Sequence, residues 1–148
     1  MYDKFNRRIN YLRISVTDRC NLRCTYCMPE SGIQLLQHSD IISFEEIVDV
    51  VKISVELGID KIRITGGEPL ARKGIIDLVT MIAEIVGIND FGLTTNGILL
   101  KKYAKELKEA GLHRVNGRLD TLNPKKYRHI TRIVNIEDML EGISEAQK

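Results

Sequence analysis

Four times along this chain a short run rich in β-branched and aromatic residues gives way to a segment whose apolar residues recur at helical spacing. A period of two marks a strand and a period near 3.6 marks a helix, so the chain reads as strand–helix repeated. Connections that contain a helix are long enough to lay successive strands in parallel, which makes this an α/β protein. The expected strands are residues 11–16, Lys61–Thr65, residues 91–95 and residues 113–119, the last weakened by Gly117 in its interior. Ser43 and Glu46 have capping-box spacing and predict a helix with Ile47, Val50, Val51 and Val55 inside and Gly58 past its end. A second helix carries Ile75, Leu78, Val79, Ile82 and Val86 on one face up to Gly87. A third spans residues 99–110, with Leu99, Tyr103 and Leu107 inside and Lys101, Lys102, Lys105 and Lys108 on a solvated face. Asn123-Pro124 opens a short helical turn, and Asn135 caps a last helix bearing Ile136, Met139, Leu140 and Ile143. Four βα units are too few to close an eight-stranded barrel, which leaves an open α/β sheet or an incomplete barrel.

All three cysteines, Cys20, Cys24 and Cys27, fall just past the first strand, spaced C-x3-C-x2-C. Thiolates this close are soft-metal ligands or redox groups before they are disulfide partners. Three of them can hold three irons of a cubane cluster, which would leave the fourth iron open to a ligand. A structural zinc site wants a fourth protein ligand, and His38, His113 and His129 all lie off zinc-finger spacing. Spacing alone keeps iron–sulfur, zinc and redox readings standing, in that order.

Length and composition narrow the setting. With 148 residues, 43% of them hydrophobic, the expectation is one domain with a real core. Lys and Arg number 22 against 20 Asp and Glu, a formal net charge of +2, which speaks against a nucleic-acid binder. No run approaches the ~20 apolar residues of a membrane span, and the opening MYDKFNRRIN is not a secretory signal. The expectation is a cytoplasmic protein with reduced thiols, bound to neither membrane nor nucleic acid.

Ligands in βα architectures gather at the carboxyl ends of the strands. Residues 20–27, Gly66-Gly67-Glu68-Pro69, Asn96-Gly97 and Asp120-Thr121 all fall there, on one rim. Adjacent glycines let backbone approach a ligand closely, and Glu68 offers a carboxylate to a ligand amine. The plainer reading of this stretch, and of Asn96-Gly97, is a turn. Arg13 and Arg63 lie on strands one and two, where an inward guanidinium needs an anion. From sequence alone that anion is a neighbouring carboxylate; a nucleotide phosphate is the alternative.

Cys20-x3-Cys24-x-Tyr26-Cys27, with an aromatic before the third cysteine, resembles the signature of radical S-adenosylmethionine (SAM) enzymes, and Gly66-Gly67-Glu68-Pro69 resembles their second hallmark. Within them, residues 12–21, 61–70 and 92–97 look like the GTP 3′,8-cyclase family, the molybdenum cofactor biosynthesis protein A group. The resemblance implies a 4Fe–4S cluster on Cys20, Cys24 and Cys27, with the amino and carboxylate groups of SAM on the open iron. It further implies reductive cleavage of SAM to a 5′-deoxyadenosyl radical that takes a ribose hydrogen from GTP. Tyr26, Gly67 and Glu68 fall at SAM-binding positions, and Arg13, Arg63 and Thr94 fall at GTP-binding positions. For the two arginines this replaces the carboxylate expectation with a nucleotide.

Two departures accompany the resemblance. Arg118 stands where the family has a SAM-contacting serine, so the cofactor meets a bulky cation that either obstructs it or reaches its carboxylate. Nothing matches the family's later strands, second cysteine trio or Gly-Gly tail. The expected fold is therefore an incomplete (β/α) barrel of about four parallel units, a truncated single core domain over residues 1–148. Its fourth strand is an edge open to homodimer pairing. GTP is the expected partner, together with an electron donor that has no signature in the chain. A non-catalytic metal-binding or interaction module, and a radical SAM enzyme of another substrate, are the alternatives.

Overall fold

The computed structural model describes residues 2–148. Strand β1 (Tyr11–Ser15) leads through a long loop to helix α1 (Phe44–Glu56), followed by β2 (Lys61–Thr65) and α2 (Ile75–Ala83). After these come β3 (Asp90–Thr95), α3 (Leu100–Glu109), β4 (Arg114–Gly117), α4 (Pro124–Thr131) and α5 (Ile136–Ala146). All three pairings are parallel, the order is β1-β2-β3-β4, and the sheet is open. The alternation of two apolar periods in the sequence carries over directly into this α/β architecture.

Capping chemistry starts α1 where the sequence placed it. Glu46 N–H donates to Ser43 Oγ at 3.1 Å and Ser43 N–H donates to Glu46 Oε2 at 2.6 Å. Loss of such a cap costs about 1 kcal/mol. The buried face is Ile47, Val48 and Val51; Val50 is 46% exposed, against expectation. Ile47, Val51 and Val55 already define the stripe, and Val48 is the flanking position that meets the sheet. Helix α2 ends at Ala83, so Val86 lies in the turn before Gly87 and is 92% exposed rather than core. Leu140 is likewise exposed, while Ile136, Met139 and Gly142 of α5 face inward. Helix α4 is a full eight-residue helix instead of a short turn, with Asn123 Oδ1 accepting from Lys126 N–H at 3.0 Å. Asn135 sits at the N-cap of α5 but makes no cap bond; its Oδ1 accepts from Arg128 Nη1 at 2.7 Å.

One face of the sheet is dry. Ile14, Ile62, Ile64, Phe91 and Leu93 join residues of α1, α2 and α3 in a single core, with Leu12 packed against it. Burying each such side chain is worth roughly 1.5–3 kcal/mol. Strand alternation turns Arg13, Arg63, Gly92 and Thr94 to the opposite face. The register sets Arg13 beside Arg63 and Arg63 beside Gly92. A second, smaller core of Tyr127, Ile136 and Met139, with Ile98, Leu119, Val134 and Ile143 against it, closes over the strand ends. Gly97 permits this closure. It has φ 82°, and any Cβ there would collide with the Met139 sulfur. Among the described residues no helix is long and apolar enough to cross a membrane.

Candidate metal and ligand site

The rim at the strand ends is assembled by backbone. Val16 N–H continues the β1–β2 ladder to Thr65 O at 2.9 Å, Gly67 N–H donates to Thr17 O at 2.7 Å, and Glu68 N–H donates to Arg19 O at 2.8 Å. The stretch before Cys20 is thus stitched onto the glycine turn. A Cβ on Gly66 would stand 2.6 Å from Thr17 O, and one on Gly67 would collide with the Arg19 carbonyl. Gly66 also has φ 150°. These glycines are demanded first by chain-on-chain contact, and Gly67 stays exposed at the cavity beside the cysteines.

Glu68 is fully buried, with 0% exposure. Its Oε1 accepts from Leu70 N–H at 3.0 Å and from Thr95 Oγ1 at 2.7 Å, and its Oε2 accepts from Asn96 N–H at 2.7 Å. A carboxylate has about four acceptor positions, so protein donors fill most of them. Glu68 therefore ties the turn after β2 to the end of β3. Burial pushes its carboxyl above the ordinary value, against the pull of those donors.

The cysteine loop is clamped by the end of α4. Thr25 N–H donates to Ile130 O at 2.9 Å and Arg23 N–H to Thr131 O at 3.4 Å. Arg132, in the left-handed region at φ 65°, donates from Nη1 to Arg23 O at 2.8 Å and to Met28 O at 2.9 Å. Cys20, Cys24 and Cys27 all line one cavity with Thr65, Gly67 and Thr94. Burial pushes the thiols of Cys20 and Cys24 up from the ordinary value. Among the described residues no three His, Cys, Asp or Glu side chains close around a single ion. A zinc tetrahedron would bring its sulfurs within about 4 Å of one another, each about 2.3 Å from the metal. A cubane gives each sulfur its own iron and takes them farther apart. Three cysteine sulfurs on one cavity, with no histidine among its lining, fit that cluster.

Tyr26 and Arg118 also line the cavity. Tyr26, 51% exposed, donates from its hydroxyl to Asp120 Oδ2 at 2.7 Å. Partial burial and this bond hold the phenol above its ordinary pKa. The Arg118 guanidinium lies over the Tyr26 ring at 5.4 Å from its centre, and no carboxylate among the described residues pairs with it.

Arg13 and Arg63 share the sheet face away from the helices, with Thr94 on the same face at the cavity edge. The carboxylate partners expected from sequence alone are not there: among the described residues neither arginine forms an ion pair. Arg63 is 8% exposed, its Nε is buried without a hydrogen-bond partner, and its guanidinium stands 5.8 Å from the Tyr11 ring centre. A buried guanidinium with an orphan N–H is a site that an anion completes.

Three contributors lacked a readable signal. Asn96 looked like half of a turn, Asp120 was only a rim residue, and Arg132 lay past the recognisable pattern. Each acts through a partner far away in sequence.

A GTP 3′,8-cyclase of Thermodesulfovibrio yellowstonii is 62% identical over 148 residues, covering 99% of this chain and 46% of the relative. The chain thus spans about half the length of that relative. Among solved structures, Streptococcus suis SuiB bound to precursor peptide SuiA superposes with a TM-score of 0.74 at 21% identity, covering 90% of this chain and 29% of that one. A complex of BtrN with AdoMet and 2-DOIA superposes with a TM-score of 0.58 at 19% identity, covering 91% and 55%. These two likenesses concern the fold. The family model of the Radical SAM superfamily matches residues 14–148, which takes in every strand end and the whole cysteine loop, and the chain belongs to that superfamily.

Proposed function

We propose that this chain is the amino-terminal part of a GTP 3′,8-cyclase of molybdenum cofactor biosynthesis, a cytoplasmic lyase, and that residues 1–148 belong to its radical SAM core domain. Cys20, Cys24 and Cys27 would hold a 4Fe–4S cluster, while Tyr26, Gly67 and Arg118 would hold SAM, with buried Glu68 fixing the turn that carries Gly67 rather than touching the cofactor, and Arg13, Arg63 and Thr94 would hold GTP. The cluster with SAM supplies one-electron reductive cleavage of a carbon–sulfur bond, and hence a carbon radical able to take hydrogen from ribose. The chain's own residues do the rest. The glycine turn and α4 present three sulfurs to one cavity. Tyr26 and Arg118 line that cavity, and the arginine face beside it would neutralise a polyphosphate.

The observation that carries this reading is that Thr94, which lines the cysteine cavity, shares its sheet face with Arg63, whose Nε is buried without a partner. It sets a soft-metal site and an anion site edge to edge on one sheet. The 62% identity with a cyclase supports the choice of GTP.

The test is anaerobic reconstitution with iron and sulfide, followed by assays for 5′-deoxyadenosine and for GTP binding. Cluster absorbance, SAM cleavage and a GTP-dependent rise in Tm are expected. A chain that binds no cluster, or that holds zinc in its place, overturns the reading. SAM cleavage without any GTP binding overturns only the substrate.

A further inference from the structure

The three cysteine sulfurs are not equivalent. Cys20 Sγ receives two N–H groups: the backbone of Leu22 at 3.4 Å and the side-chain amide of Asn96 at 3.9 Å. Among the described residues neither Cys24 nor Cys27 has an N–H donor at its sulfur. Asn96 comes from the turn after β3 and lines the same cavity as the cysteines.

Its orientation is determined by its partners. Ile98 N–H is a donor only and meets Asn96 Oδ1 at 3.1 Å, so the oxygen must face Ile98. The Nδ2 group is thereby turned to the cysteine loop, where it donates to Asn21 Oδ1 at 2.7 Å and lies alongside Cys20 Sγ. Asn96 N–H is held in turn by Glu68 Oε2. A rigid path of short hydrogen bonds runs from the buried glutamate, through Asn96, to the residue beside the first cysteine.

We infer that Asn96 is a positioning residue for Cys20: its amide anchors Asn21 and directs N–H at the cysteine sulfur, and so sets the reduction potential of a cluster held there. The inference rests on the cluster reading above. Hydrogen bonds to cluster-ligating sulfur stabilise the more negative, reduced state, and removing one makes reduction harder. A donor in a cavity screened from water counts for more than one at the surface.

Two substitutions separate this role from a purely structural one. Asn96→Asp keeps the oxygen that accepts from Ile98, lets the Asn21 amide rotate to donate, and replaces the N–H donor with negative charge. Asn96→Leu has similar volume and neither function. Both variants and the unmodified chain are reconstituted with iron and sulfide under anaerobic conditions. Each is titrated with dithionite, which supplies the single electron, and the reduced cluster is followed by electron paramagnetic resonance. Amide exchange across residues 20–24 is measured on the cluster-free proteins.

The midpoint potential is expected to move to more negative values in both variants, further in Asn96→Asp, and exchange is expected to quicken in Asn96→Leu. Wild-type potential in both variants, at equal cluster content, overturns the inference and leaves Asn96 a turn residue. Failure of the unmodified chain to hold any cluster is a different result, and overturns the reading beneath it.

Discussion

Glu68 shows how one side chain organises the rim. Its carboxyl is pushed up by burial, so the folded chain binds this proton more readily than the unfolded one. Its contribution to stability therefore falls as pH rises from the ordinary glutamate range through the raised folded value, and is flat above it. Glu68→Gln removes that slope and sets an amide N–H against Asn96 N–H, at a cost of about 1–3 kcal/mol. Urea melts from acid to neutral pH should show a deficit that narrows with rising pH; a pH-independent deficit would refute the sign. Arg118 lines the cavity, and among the described residues no carboxylate pairs with it. A charged hydrogen bond is worth about 1.5–3 kcal/mol, so Arg118→Ser should weaken SAM binding by about tenfold or more. Decarboxylated SAM, measured by calorimetry, should not discriminate between the two proteins. Tighter SAM binding in Arg118→Ser would mean that the arginine obstructs the site.

Among the elements, α5 carries more of the site than its distance from the cysteines implies. Met139 fills the space under Gly97 and Gly117, and Gly142 meets the Gly97 carbonyl. The helix thereby braces the turn that presents Asn96. Met139→Ala should cost about 2–5 kcal/mol, as truncations of fully buried side chains do. Val86, which the helical pattern counted as core, is exposed, and Val86→Lys should stay within about 0.5 kcal/mol of wild type. Chemical denaturation of the two variants checks both expectations. A large loss at Val86 would mean that α2 extends beyond Ala83 in solution.

At the scale of the whole molecule, helices on one side of the sheet leave the other side polar, and Arg63 is buried there without its anion. Arg63→Met removes an orphaned N–H, so the ligand-free protein should be no less stable than wild type. At a GTP concentration a hundredfold above its dissociation constant, ligation stabilises by about 2.7 kcal/mol. The resulting rise in Tm should vanish in Arg63→Met. A preserved GTP shift would place the nucleotide elsewhere.

Much of this was legible along the chain because the governing interactions are local. The two periods announced parallel βα units, the Ser43–Glu46 box placed α1, and the window of Cys20, Cys24 and Cys27 marked a candidate soft-metal site. Strand parity, which depends only on the next residue, turns Arg13 and Arg63 to the face opposite the aliphatic residues. Tertiary structure decided what those residues meet. Asn96 reaches Cys20 across 76 positions and Arg132 reaches Arg23 across 109, separations over which no local pattern reports contact. The same holds for Glu68, whose identity suggested a ligand contact but whose acceptors are filled by Leu70, Thr95 and Asn96. Hydrogen-bond capacity belongs to the residue, and its partners are assigned only when the chain has folded.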